Sequence, residues 1–350
     1  MKIVSLDVHK DASQVTVVSE DGVVEREWRL PTDAAILRQV IQGVKGPKRA
    51  VFEEGPLSAM LHDALKDVCD EVTSCDPTRN AMIALAEDSS DERDARRLAT
   101  LTRAGAIRKV HVAPEPYRTL RSLTEYDERV QRDVTRVKNR LLALGARQGL
   151  GRKARSLFAR SKRAAVLDQI RNGGVRWQME SLCRRLEALR QERVSGWRVA
   201  RQLTRRLKEV DHIDTIPGVG ALVSRTIVAW IFDPKRFKSM NALNSYGGLG
   251  LGQGITSWKP IGPTKASKRG CRPLKRVLMI AATAAARSDS ALGRKYQAHL
   301  AAGWDERAAR RDLARTILFI ACALWRKGRR YDDRRVSKHV QASGPRRTRP

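Results

Sequence analysis

Over the first 110 residues, short β-branched runs take turns with stretches of helical apolar spacing. Residues 3–8, 14–19 and 23–30 read as strands, with Glu20, Asp21 and Gly22 forming the turn between the second and third. A helix near 33–42, a strand over 49–53, a helix near 57–68 and a strand over 71–75 follow, then helical patterns across 79–86 and 91–103. Three antiparallel strands leading into βαβ crossovers predict an α/β sheet. After Pro114 the strand pattern stops. Leu120, Leu123, Val130, Val134, Val137, Leu141 and Leu144 fall on alternating steps of three and four, and Asp127 takes the remaining place, which predicts a coiled-coil seam. A second long helix is expected over 176–210, joined to the first by a Gly, Arg and Lys-rich connector over 149–163. Such a pair can pack only on itself as a solvated hairpin. With Arg118, Arg121, Arg129, Arg132, Arg136, Lys138 and Arg140 around the seam, dimerisation and contact with phosphates are both expected of it.

Charge sharpens the division. The 350 residues carry a net +31, yet residues 1–110 hold 16 bases against 19 acids, so the remainder carries +34. A net charge of roughly 2 to 8 suffices for solubility, so this excess predicts a phosphate-rich partner bound with strong salt dependence. No apolar run reaches the roughly 18 residues of a spanning helix, and KIVSLDV reads as a strand, not a leader, so a soluble cytoplasmic chain without a membrane partner is expected. The five cysteines are scattered without CxxC spacing and predict neither a disulfide framework nor a zinc site. The histidines are equally dispersed, and His9 and His212 read as structural or surface residues.

Four acids in the N-terminal segment form the candidate chemistry: Asp7 in the first strand, Glu53 ending the fourth, and Asp91 with Asp94 on a helix. The element order, with an Asp in its first strand and a Glu ending its fourth, resembles the RNase H or RuvC-like nuclease fold. In such a sheet the first and fourth strands lie side by side, bringing Asp7 and Glu53 together. Asp91 and Asp94 are three apart and share a helix face, near an N-terminus that Ser89 and Glu92 could open as a capping box. Clustered carboxylates repel one another unless hard cations neutralise them, and Mg²⁺ favours one or two carboxylates plus water and phosphate oxygens. Acids at strand ends and in first helical turns are also common without a metal. Glu54 adjoins Glu53 and strand alternation points the two to opposite faces, leaving the choice between them open.

Residues 211–230, DHIDTIPGVGALVSRTIVAW, resemble a helix-hairpin-helix, in which Gly218 and Gly220 would let the backbone approach a phosphate. A plain interhelical turn is the other reading. The glycine-laden stretch 247–262 is expected to be a functional loop. It presents Thr256, Ser257 and Trp258 ahead of Lys259, Lys265, Ser267, Lys268 and Arg269, so a hydroxyl stands beside cations able to steady a phosphodiester under attack. A loop whose hydroxyl only binds phosphate fits the same residues. No GxxxxGK[ST] pattern is present, which argues against an ATP-binding P-loop.

LDVHK, FEEG, CDPTRN, DERDARRLATL, IPGVG, DPKRFKS, SYGGLGLG and SKRG, in that order, resemble the DEDD transposases of the insertion-sequence one-ten family, relatives of Piv-type DNA invertases. The resemblance implies a RuvC-like catalytic domain (1–113), a helical coiled-coil linker (114–210) and a mainly α C-terminal transposase domain with helix-hairpin-helix and serine loop (211–330); the basic, Pro-ending composition of 331–350 predicts a disordered tail. It further implies an RNA-guided DNA recombinase in which a noncoding bridge RNA pairs with donor and target DNA. Asp7, Glu53, Asp91 and Asp94 would hold Mg²⁺, with Mn²⁺ as the alternative, and Ser257 would be the covalent nucleophile. Here FEEGP replaces the more common Thr or Ser before the glycine, and Thr-Ser-Trp-Lys replaces Ser-Gly-Gly-Lys, so Glu54, Thr256 and Ser267 stay as alternatives. A dimer, and a tetramer on two DNA duplexes, would follow, in a bacterial cytoplasm and at the nucleoid when bound to DNA. The rival readings are a RuvC-type junction nuclease that uses water and a non-catalytic nucleic-acid-binding protein.

Overall fold

The computed structural model describes residues 1–77, 91–256, 259–266 and 270–342; for 251–266 and 338–342 only the backbone is described. The chain forms two compact units, Met1–Ala113 and Pro114–Pro350.

The first unit is built on a six-stranded mixed sheet. Its strands are β1 (Lys2–Val8), β2 (Ala12–Val18), β3 (Val24–Pro31), β4 (Lys48–Glu53), β5 (Glu71–Cys75) and β6 (Lys109–Val110), in the order β3-β2-β1-β4-β5-β6. β1 pairs antiparallel with β2 and parallel with β4, so the expected adjacency of first and fourth strands holds. The two-residue β6, antiparallel to β5, carries no apolar run that would announce it in sequence.

Alternation sends the strand side chains to two different cores. Val4, Leu6, Val15, Val17, Ala50 and Phe52 pack on one face beneath α1 (Ala34–Gln42) and α2 (Ser58–Leu65). Ile3, Val18, Val51 and Cys75 pack on the other against Leu98 and Ala99 of α3 (Asp91–Arg103), whose bounds match the predicted helix. Fully burying a side chain the size of Val51 contributes roughly 1.5–3 kcal/mol. Polar anchors fix α3 along its length. Arg96 donates from Nε to Glu27 Oε1 at 2.7 Å, and Arg103 donates to the Asp21 carbonyl at 2.6 Å. The helix predicted over 79–86, and the capping residue Ser89, lie outside the described residues.

The second unit is largely helical. α4 (Tyr117–Arg147) and, after 3-10 turns over Gly151–Phe158 and Arg160–Lys162 and the short α5 (Arg163–Leu167), α6 (Gly173–Thr204) run antiparallel as a hairpin. At 1.5 Å per residue each is roughly 46 Å long. The α4 seam is filled by the chain's own elements: Val134, Val137 and Leu141 meet Met179, Cys183 and Leu186 of α6. The buried stripe includes Thr124 and Gly145 in place of the expected Leu123 and Leu144, because 3.6 residues per turn drift away from a strict heptad. Gly145 is where the 3-10 segment closes in, since a Cβ there would lie 2.5 Å from the Ala154 Cβ. The connector therefore packs as a cap on the hairpin, with Ala154 and Leu157 buried.

The helix expected to run to residue 210 ends at Thr204, and α7 (Lys208–Ile213) starts anew. α8 (Ala221–Ile231), α9 (Met240–Tyr246), α10 (Arg272–Ala285), α11 (Ala291–Ala301) and α12 (Glu306–Lys327) enclose one apolar core with Ile227, Leu278, Leu313 and Ile317 fully buried. Two expectations are corrected. The glycine-rich stretch is a β-hairpin, β7 (Leu251–Thr256) with β8 (Lys259–Ala266), because backbone pairing does not need the side chains that glycine lacks. The tail expected to be disordered from 331 is helical over α13 (Asp333–Ala342). Asp333 accepts from the Ala291 amide at 2.7 Å and Arg294 at 2.6 Å, while the Tyr331 amide donates to Thr215 Oγ1 at 2.8 Å.

Candidate functional site

Asp7 stands near the C-terminal end of β1, and Asp91 opens α3, which packs across the same face of the sheet. His9, two residues beyond Asp7, closes the gap. Its Nε2 lies 3.1 Å from Asp7 Oδ2 and 3.4 Å from Asp91 Oδ1. The ligand atoms of Asp7, His9 and Asp91 all fall within 4.8 Å of one another. Thr32 Oγ1 holds the His9 backbone by donating to its carbonyl at 2.8 Å, and Ser13 Oγ hydrogen-bonds Thr32 at 2.7 Å.

The electrostatics suit a cation. Burial pushes the Asp7 carboxyl above its ordinary value, His9 opposes that, and the charges of Asp91 and Asp94 push it further up. Asp94 lies one turn along α3, half-exposed, with Arg97 3.9 Å away. Oxygen donors this close match a hard divalent ion.

Glu53 ends β4, one step beyond the pairing of Leu6 with Phe52, and so neighbours Asp7 at the strand ends. Phe52 packs beneath α1 and α2 while Val51 packs against α3. Alternation therefore places Glu53 on the α3 face with Asp7, while Glu54 falls past the end of β4. His9 is the member that the sequence reading set aside as structural. Its signal was the Asp-x-His spacing, which sets His9 just past the end of β1, two residues from Asp7.

The C-terminal candidates are placed unevenly. Ser257, Ser267, Lys268 and Arg269 lie outside the described residues. Thr256 pairs with Lys259 across the β7–β8 hairpin, and Lys265 pairs with Gly252. Gly218 adopts φ +81°, and a Cβ there would meet the Ala281 carbonyl oxygen and Ala285 amide of α10 at 2.5 Å. Its missing side chain thus serves close packing within the fold. Gly220 caps α8, with open space where a Cβ would go. Arg236 in DPKRFKS closes the end of α8. It donates to the carbonyls of Ile231 and Trp230 at 3.1 Å each, under the rings of Phe232, Phe237 and Tyr246.

A mixed sheet in this order, carrying carboxylates at its first strand and on the packed helix and followed by mostly helical structure, is compatible with an RNase H-like nucleic-acid-processing enzyme. The family comparison makes the class specific. A DEDD transposase model of the IS110 group matches residues 4–144, and the family described as Transposase IS116/IS110/IS902 matches residues 210–297. The chain belongs to the IS110 family of DEDD transposases and is a DNA-transposing enzyme. No curated protein matches it. Among the described residues no helix is long and apolar enough to cross a membrane.

Proposed function

We propose that this transposase moves its element by cleaving and rejoining DNA under the guidance of a noncoding RNA, using a divalent metal held by Asp7, Glu53, Asp91 and Asp94 and a serine nucleophile, Ser257. The observation that carries the metal assignment is the convergence of Asp7, His9 and Asp91 from a strand end, a turn and a helix start. Bound among these carboxylates, Mg²⁺ or Mn²⁺ would neutralise phosphate charge and favour ionisation of an attacking oxygen. Asp7 and Asp91 supply oxygen donors, and Glu53 is preferred over Glu54 because it falls on the α3 face. His9 acts as a positioning residue, its Nε2 holding Asp7 and Asp91 at a fixed separation.

Ser257, RNA guidance and assembly into a dimer or tetramer rest on the resemblance of the motifs. Thr256, the alternative hydroxyl, pairs with Lys259 in the hairpin β7–β8. The net +31 supports the partners. In this reading the Ser257 oxygen forms a bond to phosphorus as the 3′ or 5′ oxygen of the broken strand leaves with a proton.

Cleavage of end-labelled element DNA by the full chain, resolved on a denaturing gel before and after protease treatment, tests the chemistry. Wild type gives a protein-linked strand, Asp7→Asn gives neither product nor adduct, and Ser257→Ala gives no adduct. A Ser257→Ala protein that still cuts would assign the attack to water. An active Asp7→Asn protein would end the metal reading. Sequencing the RNA that co-purifies, against DNA flanking the gene, tests the guide.

A further inference from the structure

A cavity of about 490 Å³ opens in the second unit, between the C-terminal half of α12, the turn that follows it and the start of α13. That volume is within the range of sites that hold small organic groups. Its floor is apolar: Phe319, Ile320, Leu324 and Val336 are half-buried, packed on the core with their remaining surface turned to the cavity.

The cations around it fall into two groups. Lys295 lies 2.8 Å from Asp312, Arg315 also pairs with Asp312, and Arg335 lies 3.5 Å from Asp332. These are committed within the fold. Lys327, Arg329 and Arg330 line the same cavity, are exposed, and make no ion pair among the described residues. The site therefore offers an apolar floor with an aromatic ring, bordered by three uncommitted positive charges.

We propose that this cavity binds an unpaired nucleotide of single-stranded nucleic acid, the base lying on Phe319 and Leu324 and the flanking phosphates on Lys327, Arg329 and Arg330. The inference rests on the chain acting on nucleic acid and goes beyond that reading by naming a separate site for a splayed base. Charge decides the occupant. The chain's own last residues, SGPRRTRP, carry three cations and no acid, so the rim repels them. A duplex presents its phosphates but keeps its bases stacked, so it can use the rim and not the floor. An unpaired base has a free π-face for any aromatic, and guanidinium groups pair well with phosphate.

The test uses the full chain with single-stranded RNA and DNA oligonucleotides of about twelve residues, a length in the range of known single-strand sites, each carrying one thio-substituted photoreactive pyrimidine, and with duplexes of the same length. Ala323, exposed on the cavity wall, offers a way to fill it without touching the rim. Ala323→Trp should weaken single-strand binding roughly tenfold and leave duplex binding unchanged, the loss expected for one stacked base. The double variant Arg329→Ala/Arg330→Ala should flatten the slope of log affinity against log salt by about 1.4 for single strands. Irradiation of wild type should cross-link the peptide containing Phe319 and Leu324. Stronger cross-linking by the RNA or the DNA strand identifies which one supplies the nucleotide. Unaltered single-strand binding by a folded Ala323→Trp, or cross-links confined to other segments, would overturn the proposal. The cross-link decides the matter if that variant does not fold. Asp7→Asn should keep its single-strand binding, so a failure of the metal reading is separable from a failure of this one.

Discussion

Asp127 is the one carboxylate in the buried stripe of α4, and the structure sets what its removal costs. Its side chain is 8% exposed and accepts from Arg193 Nε at 2.8 Å, Arg193 Nη2 at 3.2 Å and Trp197 Nε1 at 2.9 Å. Truncating one partner of a buried pair costs about 3–5 kcal/mol, because the other charge is left without compensation. Arg193 keeps 29% exposure and its bond to Gln131 at 2.5 Å, which places Asp127→Ala at the lower end, about 3 kcal/mol. For a unit of this size that is a fall of about 6–12 °C in Tm. The double variant Asp127→Leu/Arg193→Leu removes both charges and completes the apolar seam, so it should return to within about 1 kcal/mol of wild type. Urea unfolding followed by tryptophan fluorescence and circular dichroism measures all three proteins. A double variant as unstable as Asp127→Ala would refute the reasoning, since the loss would then come from packing and not from an orphaned guanidinium.

Three other outcomes follow from the same geometry. Burial pushes the Asp312 carboxyl up, but Lys295, Arg315 and His299 outweigh it and hold it below its ordinary value. A depressed carboxylate stabilises the fold above the unfolded value of about 3.9 and loses that contribution as pH falls below it. Thermal melts of wild type should therefore drop through that acid window, and Asp312→Asn, less stable at neutral pH, should show a shallower drop. Gly218→Ala should cost more than about 2 kcal/mol, from positive φ and the clash with the α10 backbone, whereas Gly220→Ala should cost about 1 kcal/mol or less; melting temperatures compare them. Glu53→Gln should reduce DNA cleavage and Mn²⁺ affinity by at least about tenfold, while Glu54→Gln stays within about threefold of wild type. Equal losses at the two positions would remove the face assignment.

How much the residues alone disclosed depends on which interactions hold each element. Strands β1 to β5 were legible as short β-branched or apolar runs between turn residues, and helix α3 because it buries Ala95, Leu98, Ala99 and Thr102 on one face, a pattern visible in one dimension. β6 was not, since two residues have no period and are held by β5. Helix α13 was hidden for a related reason. DRRVSKHVQA reads as a charged tail, and what orders it is Asp333 meeting the start of α11, a contact across some forty residues of chain. The β7–β8 hairpin was masked by its glycines, which weaken the strand pattern without preventing backbone pairing.

The candidate site shows the same limit more sharply. Alternation says that Glu53 and Glu54 point to opposite faces, and nothing in FEEG says which face is which. Their neighbours favour Glu53: Phe52 fills the core under α1 and α2, Val51 fills the one under α3, and the acid following Val51 by two positions falls by alternation on the side of Asp7. His9 shows the converse. Its place two residues after Asp7 was readable, but it meets Asp91 only because α3 starts where it does, fixed by Leu98 in the core and by Arg96 and Arg103 on the β2–β3 hairpin. The carboxylates can thus be listed from sequence. Which of them fall on one face is decided by apolar residues that never touch them.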